Sequence, residues 1–300
     1  MKTQMIPGQT ITAVNLSGPQ ATGETTNGMA EHEETWDMHE LIDYVETVDS
    51  EWRLSHHHRD DHESDWTPHS WAETQELARY GWTEGTKRMV DIQSALPEIG
   101  AVRRGRISYD YVGSRPSVQR YVAGEPKSMV RVRKTRELPV VCIRANGWLS
   151  WKVTSEEMAN WSVGLVSLLD SLDNMGVMAE LMVTYRSEGR SARGTTRPGY
   201  QTTNVMVRTA GQPIDIDRLA FVFGNTSWAR RYMFGYMESN KGYKRILGPT
   251  LGRILDPEPG SADLVIDGIT DHRDVAKDPV KAVEYFRNLG AKLVAESEGR

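Results

Sequence analysis

The chain holds one cysteine in 300 residues, Cys142, so an internal disulfide is impossible and the disulfide-stapled secreted class is excluded. Cys142 sits inside an apolar run, where a thiol reads as a small buried hydrophobe, and a reducing, cytoplasmic setting fits. No window approaches about 18 consecutive apolar residues, so no membrane span or membrane partner is expected. The first residues, Met1-Lys2-Thr3-Gln4-Met5-Ile6-Pro7-Gly8, lack the apolar stretch of a secretory signal. Motifs that carry chemistry in their spacing are missing too: no Gly-x-x-x-x-Gly-Lys-Ser/Thr, no Gly-x-Gly-x-x-Gly after a strand, no His-Glu-x-x-His and no Gly-x-Ser-x-Gly. The phosphate cradle, the dinucleotide fingerprint, the zinc-protease helix and the nucleophile elbow all fall away. The reading therefore points away from an enzyme, and no cofactor is expected.

What is present is unevenly charged. The net charge of −5 covers a first segment, to Asp65, with fourteen acidic residues against three basic, and a stretch from Ala101 to Arg136 with ten basic against two acidic. Opposite fields on neighbouring segments suggest mutual docking or two different partners. Residues 1–30 are rich in Thr, Gly, Gln, Ser and Asn, a composition that buries too little apolar surface to offset chain entropy. Residues 1–64 are accordingly expected to form an acidic, His-rich flexible arm. Within it, Met38, Leu41, Ile42, Val45 and Val48 fall at helical spacing and predict one short docking helix over 33–48. His56, His57, His58 and His62 lie among carboxylates, so they are the candidates for a divalent metal, although their spacing matches no closed structural site.

Residues 65–100 predict a helical hairpin, with start chemistry before Trp71, a break at Gly81 and a stop at Pro97. Residues 101–137 are the basic strand-loop segment, with strands expected at 107–111 and 129–133 and Tyr interleaved with Arg between them. Arginine beside aromatic rings is a way of holding single-stranded nucleic acid. Arg103, Arg104, Arg106, Arg115, Arg120, Arg131 and Arg133 are the candidates there, joined by Arg190, Arg193 and Arg197 of a Gly/Ser/Arg-rich loop or β-excursion over 186–203.

Residues 138–300 predict an α/β domain. The run Pro139-Val140-Val141-Cys142-Ile143 reads as a buried strand, and Thr154 with Glu157 has capping-box spacing. From there Met158, Trp161, Leu165, Leu168, Leu169 and Leu172 make one helical stripe that stops at Gly176, with Gly164 expected to let the helix approach the sheet. Val177 to Tyr185 returns as a strand, parallel to the first by right-handed crossover. Further elements are expected at Asn204 to Arg208 (strand), Ile216 to Phe223 (helix), Trp228 to Met237 (amphipathic helix), Ala262 to Asp267 (strand) and Pro279 to Leu289 (helix, stopped by Gly290). This alternation predicts a three-layer sandwich around a mostly parallel sheet, with ligands expected at the carboxyl ends of its strands. Asp263, Asp267, Asp271 and Asp274 cluster near one such end in sequence.

Over Val140 to Tyr185 the pattern resembles a von Willebrand factor A domain of the type paired with ATPases in metal-chelatase-like complexes. In that family a loop of Asp-x-Ser-x-Ser form after the first strand holds a metal. Aligning Ser150 with its last serine puts Asn146 and Trp148 at the other two positions. The span from Trp71 onward also resembles a group of uncharacterised bacteriophage proteins through Gly81-Trp82-x-Glu84-Gly85, Tyr121-x-x-Gly124-x-Pro126-x-x-Met129 and Arg230-Arg231-x-x-Phe234-x-x-x-Glu238. The resemblances imply a phage protein in the host cell cytoplasm, acting as a protein-binding or scaffolding module with an ATPase as partner and Asn146, Trp148 and Ser150 as the contact loop. The alternative is a single-stranded nucleic-acid-binding protein using 103–136 and 186–197.

Overall fold

The computed structural model describes residues 3–5, 9–11, 20–24, 31–47, 67–95, 108–111, 115–116, 125–127, 129–131, 139–189, 199–240 and 252–298. In the first of these, β1 (Thr3–Met5) and β2 (Gln9–Ile11) form an antiparallel pair. Next come β3 (Gln20–Glu24), β4 (Glu31–Asp37) and α1 (Met38–Thr47). The hairpin is α2 (Trp71–Tyr80) and α3 (Thr83–Ala95), and a small antiparallel sheet is built from β5 (Ser108–Asp110), β6 (Arg115–Pro116) and β7 (Met129–Arg131).

The central unit is β8 (Val140–Asn146), α4 (Ser155–Met175), β9 (Met178–Gly189) and β10 (Gly199–Arg208). It continues through α5 (Ile216–Gly224), a π-helical turn (Trp228–Met233), α6 (Phe234–Ser239), β11 (Arg253–Leu255), β12 (Leu264–Ile266), α7 (Arg273–Ala276) and α8 (Pro279–Glu298).

The protein is α/β. Its seven-stranded mixed sheet runs β12-β8-β9-β10-β4-β3, with β11 paired to β9. Strands β12, β8 and β9 run the same way, β10 turns back in an antiparallel hairpin, and β4 runs parallel to β10. The βαβ unit is parallel, as the crossover requires. Its long helix starts at the Thr154–Glu157 capping box and ends at Gly176 in the left-handed region, φ 78°. Each residue of the predicted stripe is buried, and much of the opposite face is buried as well. A helix buried nearly all round lies between other elements. Here α4 packs on β9 and on α8, α5 and α3, and helices flank the mixed sheet, consistent with the expected three-layer sandwich.

Several expectations are corrected. Residues 31–47 do not belong to a detached arm: β4 is an inner strand between β10 and β3, and Trp36, Met38, Leu41, Ile42 and Val45 all enter the main core. The boundary at 138 therefore does not isolate a self-contained α/β unit. The helix expected from Glu33 starts only at Met38, because Glu31–Asp37 is extended. That strand is charged in sequence, yet Glu34 is buried and accepts hydrogen bonds from Gln201, Thr203, Asn240 and, at short range, Tyr236. Four donors from two other segments compensate the desolvation of the carboxylate, and no local pattern reveals them.

Within 186–203 the described residues, 186–189 and 199–203, are paired strand arms, with Gly189 opposite Gly199. Gly164 serves approach to a helix, since a Cβ there would lie 2.4 Å from Phe286 Cδ2 and 2.9 Å from the Ala282 carbonyl of α8. Gly290 does not stop α8, which continues to Glu298. Residues 228–237 are not amphipathic, being buried from Trp228 to Met233.

Candidate functional site

The first strand of the βαβ unit ends where its neighbour β9 keeps going. β8 pairs with β9 only as far as Asn146 opposite Thr184, and β11 takes up β9 again at Leu255 opposite Arg186. Between these two pairings the chain turns out of the sheet at Gly147, whose Cβ position would fall 2.4 Å from Tyr185 Cζ. Only glycine fits at so close an approach. Trp148 then folds inward, buried, with its indole N–H donating to the Arg186 carbonyl at 2.9 Å and its ring edge-on to Tyr185.

The result is a cleft of about 470 Å³ at the carboxyl ends of β8 and β12, lined by Asn146, Trp148, Ser150, Trp151, Ile254, Asp256, Thr270 and Asp271 among others. This is where an open α/β sheet places its ligands. The predicted loop residues Asn146, Trp148 and Ser150 are thus brought together, and each is tied down. The Asn146 side chain donates to Asp256 at 2.7 Å and accepts from the Trp148 N–H at 2.8 Å. Ser150 donates its N–H to Thr270 Oγ1, and its hydroxyl accepts from the Lys152 N–H. The amide of Asn146 is engaged at both ends and Trp148 offers no oxygen, so these residues do not fit the metal cradle of the loop they resemble.

Beyond Ser150 the chain makes a turn that carries Trp151 outward, 74% exposed, with the Lys152 ammonium 5.4 Å from its ring centroid. The turn is held from below. Arg230, on the buried π-helical turn, donates through Nη2 to the carbonyls of Ser150 (2.6 Å) and Val153 (3.0 Å). Burial holds its guanidinium down to about 10. The neighbouring Arg231 reaches Thr67, and the ring of Tyr232 stacks between Trp71 and Trp228. π-helical turns concentrate at functional sites. This one buries two consecutive arginines within a segment expected to be an amphipathic helix. On the far side of Trp151 a second cleft of about 540 Å³ is lined by Lys152, Thr154, Glu156 and Arg230. Trp151 is the ridge between the two.

Of the four aspartates grouped in sequence, only Asp267 and Asp271 come together. Asp263 accepts from the Cys142 N–H at 2.9 Å, and Asp274 pairs with Lys277. Asp267 faces Asp256 and Asp271 instead: burial first, and then these two carboxylates, raise its pKa above the usual range, while His272 lowers it. Burial pushes the Cys142 thiol up to about 12, which suits an inert core residue. Arg115 and Arg131 lie in the small sheet, opposite Val130 and Ser108 respectively. Arg103, Arg104, Arg106, Arg120, Arg133, Arg190, Arg193, Arg197, His56, His57, His58 and His62 lie outside the described residues. Among the described residues no helix is long and apolar enough to cross a membrane. Sequence reasoning missed Trp151, Ile254, Asp256, Thr270 and Arg230. Trp151 was the legible one, a tryptophan in a polar loop. Asp256, 110 positions from Asn146, carries no local signal.

The family model for DUF7192, a domain of unknown function, matches residues 23–292. The chain belongs to the DUF7192 family. The match takes in the last two residues of β3 and all of β4 and α1, the part of the first segment that joins the sheet and core. No curated protein and no solved structure matches the chain.

Proposed function

We propose that this DUF7192 chain is a protein-binding module whose contact surface is the Trp151 turn together with the cleft beside it. The observation that carries this reading is the exposed Trp151, fixed at the mouth of a cleft by a buried arginine. Exposing an indole leaves a large apolar surface in water, and interface energy concentrates in aromatic anchors of this kind. Holding the anchor still before the partner arrives lowers the ordering cost of association. Ile254, 47% exposed on the other wall, extends the apolar rim. The resemblance of the β8–α4–β9 unit to A-type domains adds an ATPase as the class of partner to look for.

The test is affinity capture from the native cells with the full chain and with Trp151→Ala, followed by quantitative mass spectrometry. At least one protein is expected to lose about thirtyfold or more in enrichment with the variant, the loss that goes with an anchor residue. The melting temperature should stay within a degree or so, since the side chain is exposed. Equal capture by both proteins would refute the reading.

A further inference from the structure

We infer that what docks in the cleft between β8, β11 and β12 is an arginine-bearing segment of a protein partner, its guanidinium between Asp256 and Asp271 and its stem along Trp151 and Ile254. The inference rests on the docking reading above and adds the chemistry of the occupant.

Charge complementarity carries it. The two charged residues that line this cleft, Asp256 and Asp271, are both acidic, and both are exposed. Asp267 stands close enough to feel both: its pKa is raised first by burial and then further by these two carboxylates, so three carboxylates share one neighbourhood. His272 lies 4.0 Å from Asp267 and offsets that charge only when protonated. Asp256 is braced rather than neutralised, accepting from Asn146 Nδ2 and from the Gly268 N–H at 3.1 Å, both uncharged donors. A cation entering here relieves repulsion already present, whereas a phosphate would meet two like charges, which disfavours nucleic acid.

The apolar half of the cleft selects among cations. Trp151 already has the Lys152 ammonium over its ring and remains largely exposed, so the indole can also take a planar guanidinium. Arginine adds a rigid donor fork matched to carboxylates and a stem that can lie on Ile254. The cleft volume lies in the range of about 300–1,000 Å³ typical of sites that bury a side chain or small ligand.

The experiment pans a display library of random twelve-residue peptides against the immobilised full chain, Trp151→Ala, Asp271→Asn and Asp267→Asn, each checked by thermal melt. The wild-type chain should select arginine flanked by apolar residues. The selected peptides should bind Asp271→Asn about tenfold more weakly, the factor expected for one charge-assisted contact, and should weaken further as salt rises. Selection of apolar peptides that lose affinity on Trp151→Ala but not on either Asp variant would overturn the arginine inference and leave docking standing. Peptides indifferent to Trp151→Ala, or no enrichment at all, would overturn both.

Discussion

At the scale of single residues the site depends on a group that is almost wholly buried. Arg230 is 3% exposed, and its two carbonyl partners belong to the turn that carries the exposed Trp151. A buried guanidinium is costly to desolvate, and its hydrogen bonds to carbonyls offset part of that cost. Removing it strips two carbonyls of their charged donor and leaves a cavity beneath the turn. Arg230→Ala is therefore expected to destabilise the protein by about 2–4 kcal/mol. It should also speed amide hydrogen exchange over residues 147–153 more than over β9, as read by mass spectrometry of the exchanging protein. Uniform acceleration along the chain would mean that Arg230 acts only as core filler. Gly147 and Arg230 were visible in the sequence as residue types. Their roles were not, because both depend on Tyr185 and Ser150, partners tens of residues away.

At the scale of elements, those with local rules were the legible ones. The Thr154–Glu157 box, the Met158–Leu172 stripe and Gly176 set out α4 before any tertiary information, since capping and 3.6-residue periodicity act within a turn or two. Thr154→Ala should cost about 1 kcal/mol in urea unfolding. Glu157 adds a pH signature. Burial raises its carboxyl pKa, but the Thr154 N–H and the Arg273 guanidinium at 2.7 Å lower it more, so the net shift is downward. A group with a lowered folded pKa contributes stability above its unfolded value and loses it as pH falls through the folded value. The stability gap between wild type and Glu157→Gln should thus be full at neutral pH and close in acid, below the usual carboxylate range. A gap that stays constant across that range would show that the carboxylate's charge contributes nothing. The elements that misled were β4, whose charged sequence hides a buried Glu34, and the turn at Trp228–Met233, whose burial overrides its amphipathic look.

At the scale of the molecule the first segment is structural. Strand β4 covers one edge of β10, and five apolar residues from Trp36 to Val45 are buried in the shared core. At about 1.5–3 kcal/mol for each buried side chain this contributes roughly 10 kcal/mol, comparable with the whole stability of a typical domain. A chain starting at residue 48 is therefore expected to be insoluble or to lack a cooperative thermal transition, whereas a detached arm would be lost without effect. Circular dichroism melts of the two chains decide between these. The charge asymmetry takes on a second meaning in this light: part of the acidic segment supplies sheet carboxylates, with Glu33 3.2 Å from Arg144 of β8, across two intervening strands.

The sequence by itself determined the α/β class, the parallel βαβ unit, the caps of its long helix and the loop at the carboxyl end of the first strand. Each of these follows from interactions between residues a few positions apart. Tertiary structure alone decided that the charged N-terminal strand enters the sheet, that Arg230 and Arg231 point inward, and that Asp256 and Asp271 line one cleft with Trp151. Those outcomes rest on contacts between distant segments, where burial and hydrogen bonding from elsewhere in the chain outweigh what local composition favours.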